Sequence, residues 1–562
     1  MLVFCAFFIF LTLQSTRARS SNYVPLNGCV WSDCNVTDFI PPIGNYSIDC
    51  CKLEVPLNYA KANGTKISIS MSRLIPFDKN YTTNNTLFFL TGGPGSSGWT
   101  AIQYIPLLFP SNYGITIILS DHRGVGLSTP LTCDDHGSQN LTIDCISYLT
   151  SKWSIEGLNQ FSITAAAHDL AVQIRFYQTI SSGRISIYSM SYGTVWLDRF
   201  LQIYPNLIHS AIMDSVIHSQ LFSMSRYDLW TSLVASRFLA YCQFQPECSR
   251  HFPIHEPPQI MLSKILKELD QNKQRCINDH FLQYHITADK LRGLFRGMMS
   301  SSISFYTRTV IPAVIFRLNR CNQDDVKILN FFFNTTFGIS ENLRKNSSTS
   351  PPALYDSLVL GFNIIQSELW LSKDEEEVDE ETLLAWHNST LMALENLKLF
   401  TSLRSKWPKY PLDEYYHKVA MNSNVLMLSS QLDPAANLDY ATHLATMTSK
   451  TRTFYVFPLI GHVTILIALA DYKCPLKLMC SWAFPNSFPS DWNDPSCIQE
   501  FPTIIDFVGN GEKEQQSSMK YLNISRPFDD LKLTIPSTSS VRSINAYNVF
   551  TYFVLASLTL FI

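Results

Sequence analysis

The sequence carries little charge and no concentration of positive charge. Only 16% of its 562 residues are charged, and the formal net charge at pH 7 is −3. No cluster of lysine and arginine is interleaved with aromatic residues. A surface that binds nucleic acid needs such clustered cations, because they neutralise the phosphates. We therefore expect no nucleic-acid partner.

Spacings typical of metal ligands are missing as well. The chain has no His-Glu-x-x-His motif and no paired Cys-x-x-Cys motifs, the patterns that usually hold zinc. Its fourteen cysteines instead favour disulfides in an oxidising compartment. The predicted local pairs are Cys133/Cys145, Cys242/Cys248 and Cys276/Cys321. The other cysteines beyond residue 20 are odd in number, so one thiol is expected to stay free or to pair between molecules; they are Cys29, Cys34, Cys50, Cys51, Cys474, Cys480 and Cys497.

No apolar run reaches the length of about 20 residues that a bilayer-spanning helix needs. Residues 2–13 form a run of twelve, followed by small residues near Ser20, which is typical of a signal peptide in residues 1–20. Residues 549–562 form a run of fourteen behind a spacer and the small residues 537–540. This layout favours a glycolipid (GPI-type) anchor signal in residues 536–562, and a short membrane helix beginning near Ala546 is the alternative.

Asparagine sequons support export independently. A single sequon arises by chance, but ten of them in an exported chain predict a glycosylated surface. We therefore expect a glycoprotein of the secretory pathway that is extracellular or held at the cell surface. The sequons stand at Asn35, Asn45, Asn63, Asn80, Asn84, Asn140, Asn334, Asn346, Asn388 and Asn523.

Strand and helix patterns alternate along the chain. Residues 51–55 and 67–73 alternate polar and apolar side chains around a turn containing Asn63-Gly64, which predicts an antiparallel edge. Buried-type strands follow at residues 87–90, 115–120, 185–190 and 210–214, and later from Val425 and from Thr453, while residues 165–177 have a helical pattern. This order predicts an α/β fold with a mostly parallel sheet that helices cover on both faces.

The most informative stretch is the β-branched run at residues 185–190, which breaks at Ser191 and resumes as a helix. A sharp strand-to-helix turn is where a nucleophilic serine is held in a strained conformation, and it needs small residues two positions before and after. Ser189 and Gly193 occupy those positions. Ser189 departs from the usual G-x-S-x-G pattern by one hydroxymethyl group. Ser191 is the predicted nucleophile.

A serine nucleophile requires a histidine base and an orienting carboxylate, which in this fold follow in the order Ser, Asp, His. Asp433 follows the strand that starts at Val425, and His462 follows the strand that starts at Thr453. Both lie after the carboxyl end of a strand, where sites gather in open α/β sheets. The order and the context together predict a Ser191, Asp433 and His462 triad.

A glycine-rich stretch at residues 92–98 admits two interpretations. It fits the dinucleotide fingerprint G-x-G-x-x-G, and Asp121 ends the next strand, so a Rossmann-type oxidoreductase is one alternative. That fingerprint belongs in the first strand–helix unit, whereas strands precede it here. In a hydrolase the same glycines let backbone N–H groups stabilise an oxyanion.

Ser191 and Asp433 are 242 residues apart, far more than the rest of the sheet needs, so we expect an inserted domain. Helical patterns such as residues 260–269 and 288–298 predict a helical cap at 220–415, and the acidic run 374–381 is interpreted as a solvated face or a helix start. The predicted domains are a signal peptide (1–20), the first part of the catalytic domain (21–219), the cap (220–415), its second part (416–535) and the anchor signal (536–562).

Taken together, these residues resemble the tripeptidyl and prolyl aminopeptidase family of α/β-hydrolase-fold serine peptidases. The resemblance runs on both sides of the insertion, and only the cap is weakly matched. Its motifs are Cys51-Lys52-Leu53-Glu54-Val55-Pro56-Leu57-Asn58-Tyr59, Gly92-Gly93-Pro94-Gly95, Asp121-His122-Arg123-Gly124-Val125-Gly126-Leu127-Ser128, Ser191-Tyr192-Gly193-Thr194, Leu432-Asp433-Pro434 and Gly461-His462.

The resemblance implies a role for each site residue. Ser191 would be the nucleophile, His462 the general base and then acid, and Asp433 its orienter. The N–H groups of Gly93 and Tyr192 would form the oxyanion hole. The family removes short units from the free amino end of peptides and uses no cofactor, so peptides with a free N-terminus are the expected partners.

Other functions use the same scaffold. Esterases and lipases carry an identical triad, so the triad alone does not choose between an ester and a peptide bond. A surface binding protein with a decayed triad is a further alternative, which an intact Ser/Asp/His set argues against. Epoxide and haloalkane hydrolases need a carboxylate where Ser191 stands.

An aminopeptidase must also recognise the ammonium group of its substrate. A cation in a partly dry pocket is costly unless a carboxylate meets it. Glu368 is the candidate, because it lies in the apolar segment 362–370 where an acid is less expected than in the run 374–381. That segment also resembles the place where family members keep an acid near the end of the cap. A surface glutamate on an amphipathic helix is the competing interpretation.

Overall fold

The computed structural model describes residues 28–34, 45–77, 85–102, 104–303, 305–338, 356–394 and 397–530. Its centre is one eight-stranded sheet. The predicted signal peptide and anchor signal fall outside the described residues, as do the sequons at Asn35, Asn80, Asn84 and Asn346. The strands are β1 (Tyr46–Pro56), β2 (Lys66–Pro76), β3 (Asn85–Leu90), β4 (Ile115–Ser120), β5 (Ile185–Met190), β6 (Ser210–Asp214), β7 (Val425–Ser430) and β8 (Arg452–Phe457).

The strand order in the sheet is β1-β2-β4-β3-β5-β6-β7-β8. β1 pairs with β2, and β2 with β4, in antiparallel fashion, and every later pair is parallel. The predicted antiparallel edge and the mostly parallel sheet are therefore both confirmed. The order β4-β3-β5-β6-β7-β8 with an antiparallel start is that of an α/β-hydrolase sheet.

Alternate residues of the central strands face opposite apolar layers, as the two-residue period of a strand requires. Phe88 and Leu90 of β3 pack in the layer on one face of the sheet, and Leu87 and Phe89 pack in the layer on the other. Because both faces are covered, β3, β6 and β7 are buried along their whole length. This explains why they are continuous apolar runs and do not alternate in polarity.

Helices cover both faces of the sheet and fill most of the connection between β6 and β7. The α-helices are α1 (Ile105–Leu108), α2 (Ile143–Leu158), α3 (Ile163–Gln178), α4 (Tyr192–Ile203), α5 (Tyr227–Gln243), α6 (Pro246–Ser249), α7 (Pro258–Asp270), α8 (Arg275–His280), α9 (Ala288–Ser300), α10 (Ile311–Arg320), α11 (Gln323–Phe333), α12 (Leu358–Ile364), α13 (Glu380–Asn388), α14 (Leu397–Arg404), α15 (Leu438–Met447), α16 (Cys474–Ala483) and α17 (Glu512–Leu522). Short π-helical turns at Asn334–Gly338 and Ile365–Leu369 extend α11 and α12.

The helical insertion packs in two parts. Buried side chains between residues 234 and 333 form one core together with Leu391, Met392, Leu432, Leu459 and residues between 505 and 524 near α17. Most buried side chains between residues 359 and 407 instead join the layer that α3 and α4 form on the sheet. The boundaries 220–415 stay a prediction, and the packing adds that the second part of the insertion is built into the catalytic domain.

Six disulfides occur among the described cysteines. The three predicted local pairs are present, and the others are Cys29–Cys51, Cys34–Cys50 and Cys474–Cys497. Cys480 is the free thiol among these residues and is buried. Within the described ranges no helix combines the length and the apolar character needed to cross a membrane. The six sequon asparagines that the structure describes, Asn45, Asn63, Asn140, Asn334, Asn388 and Asn523, are all exposed.

Candidate active site

Ser191 lies at the turn between β5 and α4, with φ 54° and ψ −126°. A non-glycine residue in this region is strained and persists only where its surroundings enforce it. The N–H of Ser191 donates to the Asp214 carbonyl at 2.9 Å, and its own carbonyl accepts from Thr194 N–H at 2.9 Å. A Cβ atom on Gly193 would stand 2.7 Å from the Thr91 carbonyl oxygen, so only glycine fits there. The structure thus contains the strained elbow expected from the sequence.

Ser189 explains why the elbow tolerates a departure from G-x-S-x-G. Its side chain is fully buried, and its hydroxyl donates to the Ile212 carbonyl on the neighbouring strand β6 at 3.0 Å. The additional polar atom is therefore satisfied, and burial without a partner would have been costly.

Asp433 and His462 come together at the carboxyl ends of β7 and β8. His462 Nδ1 lies 2.9 Å from both carboxylate oxygens of Asp433, which is the geometry of a donated hydrogen bond. Asp433 also accepts from the N–H groups of Ala435 at 2.8 Å and Ala436 at 2.9 Å. Burial by itself raises the pKa of Asp433, but His462, the Ala436 amide and the Ser215 hydroxyl outweigh it and hold that pKa below its usual value. The carboxylate therefore stays charged and fixes the imidazole.

Two reactive atoms are left without a partner in the described part of the chain. Ser191 Oγ and His462 Nε2 are both buried and accept or donate no hydrogen bond there. Because Nδ1 of His462 is committed to Asp433, Nε2 is the ring nitrogen available to take a proton. Buried polar atoms are nearly always paired, so unpaired ones at the elbow and on the histidine mark a place where a substrate group can bind.

The glycine-rich stretch 92–98 packs against Ser191. A Cβ atom on Gly92 would lie 3.0 Å from Ser191 Cβ and 3.4 Å from Ser191 Oγ. The stretch follows β3 and enters a short 3₁₀ helix, Gly98–Ala101, so it does not run into a long helix as a dinucleotide loop does. Its position beside Ser191 in an α/β-hydrolase sheet overturns the Rossmann alternative.

Two buried acids hold this stretch in place. Asp121 accepts from the hydroxyl of Ser97 and the N–H of Gly98, each at 2.9 Å, and Asp356 accepts from Ser97 N–H at 2.6 Å. Burial raises the pKa of Asp121 to about 6 and that of Asp356 to about 7. Asp356 lies two residues before α12, so the insertion helps to shape the stretch beside Ser191.

Glu368 belongs to a separate cluster. Its carboxylate accepts from Ile163 N–H at 2.9 Å and from the Tyr410 hydroxyl at 2.7 Å, and it lies 3.3 Å from Arg199 Nη1. Burial raises the pKa of Glu368, while the nearby charge of Arg199 opposes that rise. Glu368 lines a cleft of about 420 Å³ together with Tyr410 and Asp413, and the described residues that line it include neither Ser191 nor His462. The alternative of an exposed surface glutamate is wrong, because the side chain is only 5% exposed.

Sequence reasoning missed residues that hold the loops of Asp433 and His462. Ser215, with φ 54°, bonds to Asp433 and accepts from Val463 N–H at 2.7 Å. Asp214 accepts from the N–H groups of Thr464 at 2.8 Å and Ile465 at 3.0 Å. Asp214 ends β6 and Ser215 follows it, so the rule that led to Asp433 and His462 also pointed to them. Nothing in the sequence signalled the contacts that residues 300–308 make with the histidine loop.

The strand order and the strained elbow define the class of this protein as the α/β-hydrolase fold. No protein-family model matches the chain. Over 235 residues it is 23% identical to a tripeptidyl aminopeptidase from Streptomyces lividans and equally to one from Streptomyces coelicolor. The match covers 36% of this chain and 40% of each relative, so the chain matches less than half the length of these curated relatives. The resemblance to tripeptidyl aminopeptidases is thereby confirmed, at low identity.

Comparison with solved structures gives partial overlaps. A proline iminopeptidase from Mycobacterium smegmatis aligns with 11% identity and a TM-score of 0.36, covering 77% of this chain and 98% of that one. An esterase from Thermogutta terrifontis aligns with 13% identity and a TM-score of 0.31, covering 77% of this chain and 98% of that one.

Proposed function

We propose that the protein is a secreted or cell-surface serine exopeptidase that releases short N-terminal units, of one to three residues, from peptides. The observation that carries the proposal is the bond from His462 Nδ1 to the Asp433 carboxylate at 2.9 Å. Among the described residues this leaves His462 Nε2 without a partner, and the elbow Ser191 Oγ has none either. The similarity to tripeptidyl aminopeptidases supports the choice of a peptide bond over an ester. The disulfides support an extracellular or secreted location.

In the proposed mechanism His462 Nε2 accepts the proton of Ser191 as Oγ attacks the substrate carbonyl. Asp433 stabilises the imidazolium that forms and keeps its Nδ1 proton in place. The N–H groups of Gly93 and Tyr192 stabilise the oxyanion. His462 then donates the proton to the departing amine, which leaves an acyl group on Ser191. A water molecule, activated by the same imidazole, hydrolyses that ester and restores the serine.

The proposed amine-binding acid is Glu368. Its support is the scarcity of acids in its apolar segment and its buried position beside Arg199. Because Arg199 already neutralises part of its charge, an ammonium group would join a cluster that also contains Asp413, whose carboxylate lies 3.6 Å from Arg199. Two carboxylates therefore face a single guanidinium group, and the remaining negative charge can bind a second cation.

The decisive experiment profiles product release from matched peptide libraries with free and with N-acetylated amino ends, alongside small carboxylic esters. An exopeptidase releases units of one to three residues from free peptides only. Cleavage of esters with no release from either library would establish the carboxylic-ester hydrolase that the same triad could serve. Internal cleavage of blocked peptides would contradict the exopeptidase proposal.

A further inference from the structure

The loop that carries His462 has strained backbone on both sides of the histidine. It comprises residues 459–463, between β8 and the 3₁₀ helix Thr464–Ala470. Leu459 has φ 51° and Val463 has φ 65°, in the left-handed region that branched and bulky side chains avoid. Such a conformation persists only where surrounding contacts enforce it. The contacts that hold this loop come from two parts of the chain.

Part of the support comes from the catalytic domain itself. Ser430 Oγ donates to the Gly461 carbonyl at 2.5 Å, and Leu432 N–H donates to the Ile460 carbonyl at 3.2 Å. Ser215 Oγ accepts from Val463 N–H. These bonds secure the ends of the loop, and none of them reaches the backbone of His462.

The backbone of His462 is held by the insertion. Its N–H donates to the Ser300 carbonyl at 2.7 Å, and its carbonyl accepts from Ser302 Oγ at 2.7 Å. Ser301 forms a parallel bridge with His462, so residues 300–302 run beside the loop like a short extra strand. We call residues 300–302 the strap. It begins where α9 ends.

The strap lies too close to the loop for any side chain at position 461. A Cβ atom on Gly461 would stand 2.4 Å from the Ser300 carbonyl oxygen and 2.9 Å from that of Met299. Real Cβ atoms do not approach so closely. The glycine before the histidine is therefore explained by the strap and not by the strand that precedes it.

A buried arginine adds a further contact from the same part of the insertion. Arg308 is 1% exposed and donates through Nη2 to the carbonyl of the strained Leu459. Its Nε and Nη1 atoms have no partner within the described ranges, and no carboxylate pairs with it there. Burial of a cation without a paired acid is costly. The polar contact that this buried guanidinium does make is to the loop that carries His462.

We propose that the strap and Arg308 form a positioning device that sets the orientation of His462. The insertion, beyond covering the site, then takes part in aiming Nε2 at Ser191. This inference rests on the proposed function, because it takes His462 to be the catalytic base. Loss of a strap contact should change the chemical step and leave substrate binding nearly untouched.

The test substitutes Ser302, whose hydroxyl is the side-chain contact of the strap. Ser302→Ala should lower kcat by about 10- to 100-fold, since a small misplacement of a catalytic group has that effect, with KM unchanged. Ser302→Thr retains a hydroxyl and should restore most of kcat. The downfield proton resonance of the His462 Nδ1–H bond to Asp433 should shift in Ser302→Ala and return in Ser302→Thr.

The matched control is Ser389→Ala. Ser389 Oγ donates to the Trp386 carbonyl at 2.7 Å, the same type of bond in the same insertion but outside the histidine loop. It should leave kcat, KM and the downfield resonance unchanged. If Ser302→Ala does not fold, Arg308→Lys provides the second test, because lysine keeps the charge and loses the directed Nη2 contact; it should lower kcat selectively.

Full kcat in a folded Ser302→Ala or Arg308→Lys protein would overturn the positioning device. Equal losses in Ser389→Ala would do the same, because they would show a general effect of the insertion. If the proposed function is wrong, any activity of the wild-type protein would survive both Ser191→Ala and His462→Ala.

Discussion

Three unusual structural features meet at Ser191. Its backbone is strained, its neighbour Gly193 is required by the close approach of the chain at the end of β3, and its hydroxyl is buried without a partner in the described part of the chain. These features are understandable if the hydroxyl is reserved for a substrate, which makes substitution at this position the clearest test of the triad.

Ser191→Ala is expected to abolish turnover while the protein still folds. Loss of a triad member typically removes about 10⁴-fold or more of the rate. His462→Ala should match it, and the double variant should be no worse, because the two residues act as a unit. The measurement is kcat/KM together with circular dichroism, and Ser147→Ala, at an exposed serine of α2, is the control that should stay active. Substantial activity in folded Ser191→Ala would rule out the triad.

Glu368→Gln tests the amine-binding proposal. We expect a higher KM for peptides with a free amino end, equivalent to about 1–3 kcal/mol, because the ammonium loses a charged partner. N-acetylated and ester substrates should be spared. Glu381→Gln, at an exposed position of the acidic run, is the matched control. Equal effects on free and blocked substrates would mean that Glu368 does not bind the amino group and serves only as the ion-pair partner of Arg199.

At the scale of elements, His387 joins three helices of the insertion. It lies on α13, and its ring nitrogens bond to Asp228 of α5 at 2.8 Å and Asp289 of α9 at 3.0 Å. Burial by itself lowers the pKa of His387, but the two carboxylates outweigh it and raise that pKa to about 9. The histidine is therefore charged at neutral pH and ties the helices together electrostatically.

This cluster predicts a loss of stability in alkali. Because the folded-state pKa lies above the value of about 6.5 for an unfolded chain, the stabilisation is complete below pH ~6.5 and disappears as pH rises through about 9. The linkage corresponds to about 3 kcal/mol. Tm measured from pH 6 to 10 should fall more steeply in wild type than in His387→Gln, which should start lower. His255→Gln, at an exposed histidine, should follow wild type, and parallel curves for wild type and His387→Gln would refute the linkage.

At the scale of the whole molecule, the insertion and the catalytic domain share their cores. Leu432 and Leu459, which flank the loops of Asp433 and His462, pack in the core that the helices from residue 234 to 333 build. The second part of the insertion packs on the sheet beside α4. The folding of the insertion and the placement of the loops that carry Asp433 and His462 are therefore linked by shared apolar contacts.

The glycolipid anchor predicted from the sequence can be tested on intact cells. If residues 536–562 are a glycolipid-anchor signal, a phosphatidylinositol-specific phospholipase should release the protein from intact cells, because it cuts the lipid from the anchor. A variant that ends after residue 535 should be secreted without treatment and serves as the control. Retention after the phospholipase, with the C-terminal tail still detectable, would favour the short membrane helix near Ala546.

The sequence by itself determined the features that depend on local chemistry. Turn residues and apolar periodicity within about ten residues are enough to place a strand, an elbow and a helix, and so β5, Ser191 and α4 were predictable. Asp433 and His462 followed because parallel strands bring their carboxyl ends to one edge of the sheet. The disulfides Cys133–Cys145 and Cys242–Cys248 followed from short separations of 12 and 6 residues.

Only the tertiary structure decided which distant segments meet. Ser302 and His462 are 160 residues apart, and Arg199 and Glu368 are 169 apart. No local pattern encodes either contact, because each depends on how the insertion packs against the sheet once both have formed. The pairing of Cys29 with Cys51 and Cys34 with Cys50 was likewise open, since adjacent cysteines on β1 point to opposite faces and only the path of the preceding segment assigns their partners.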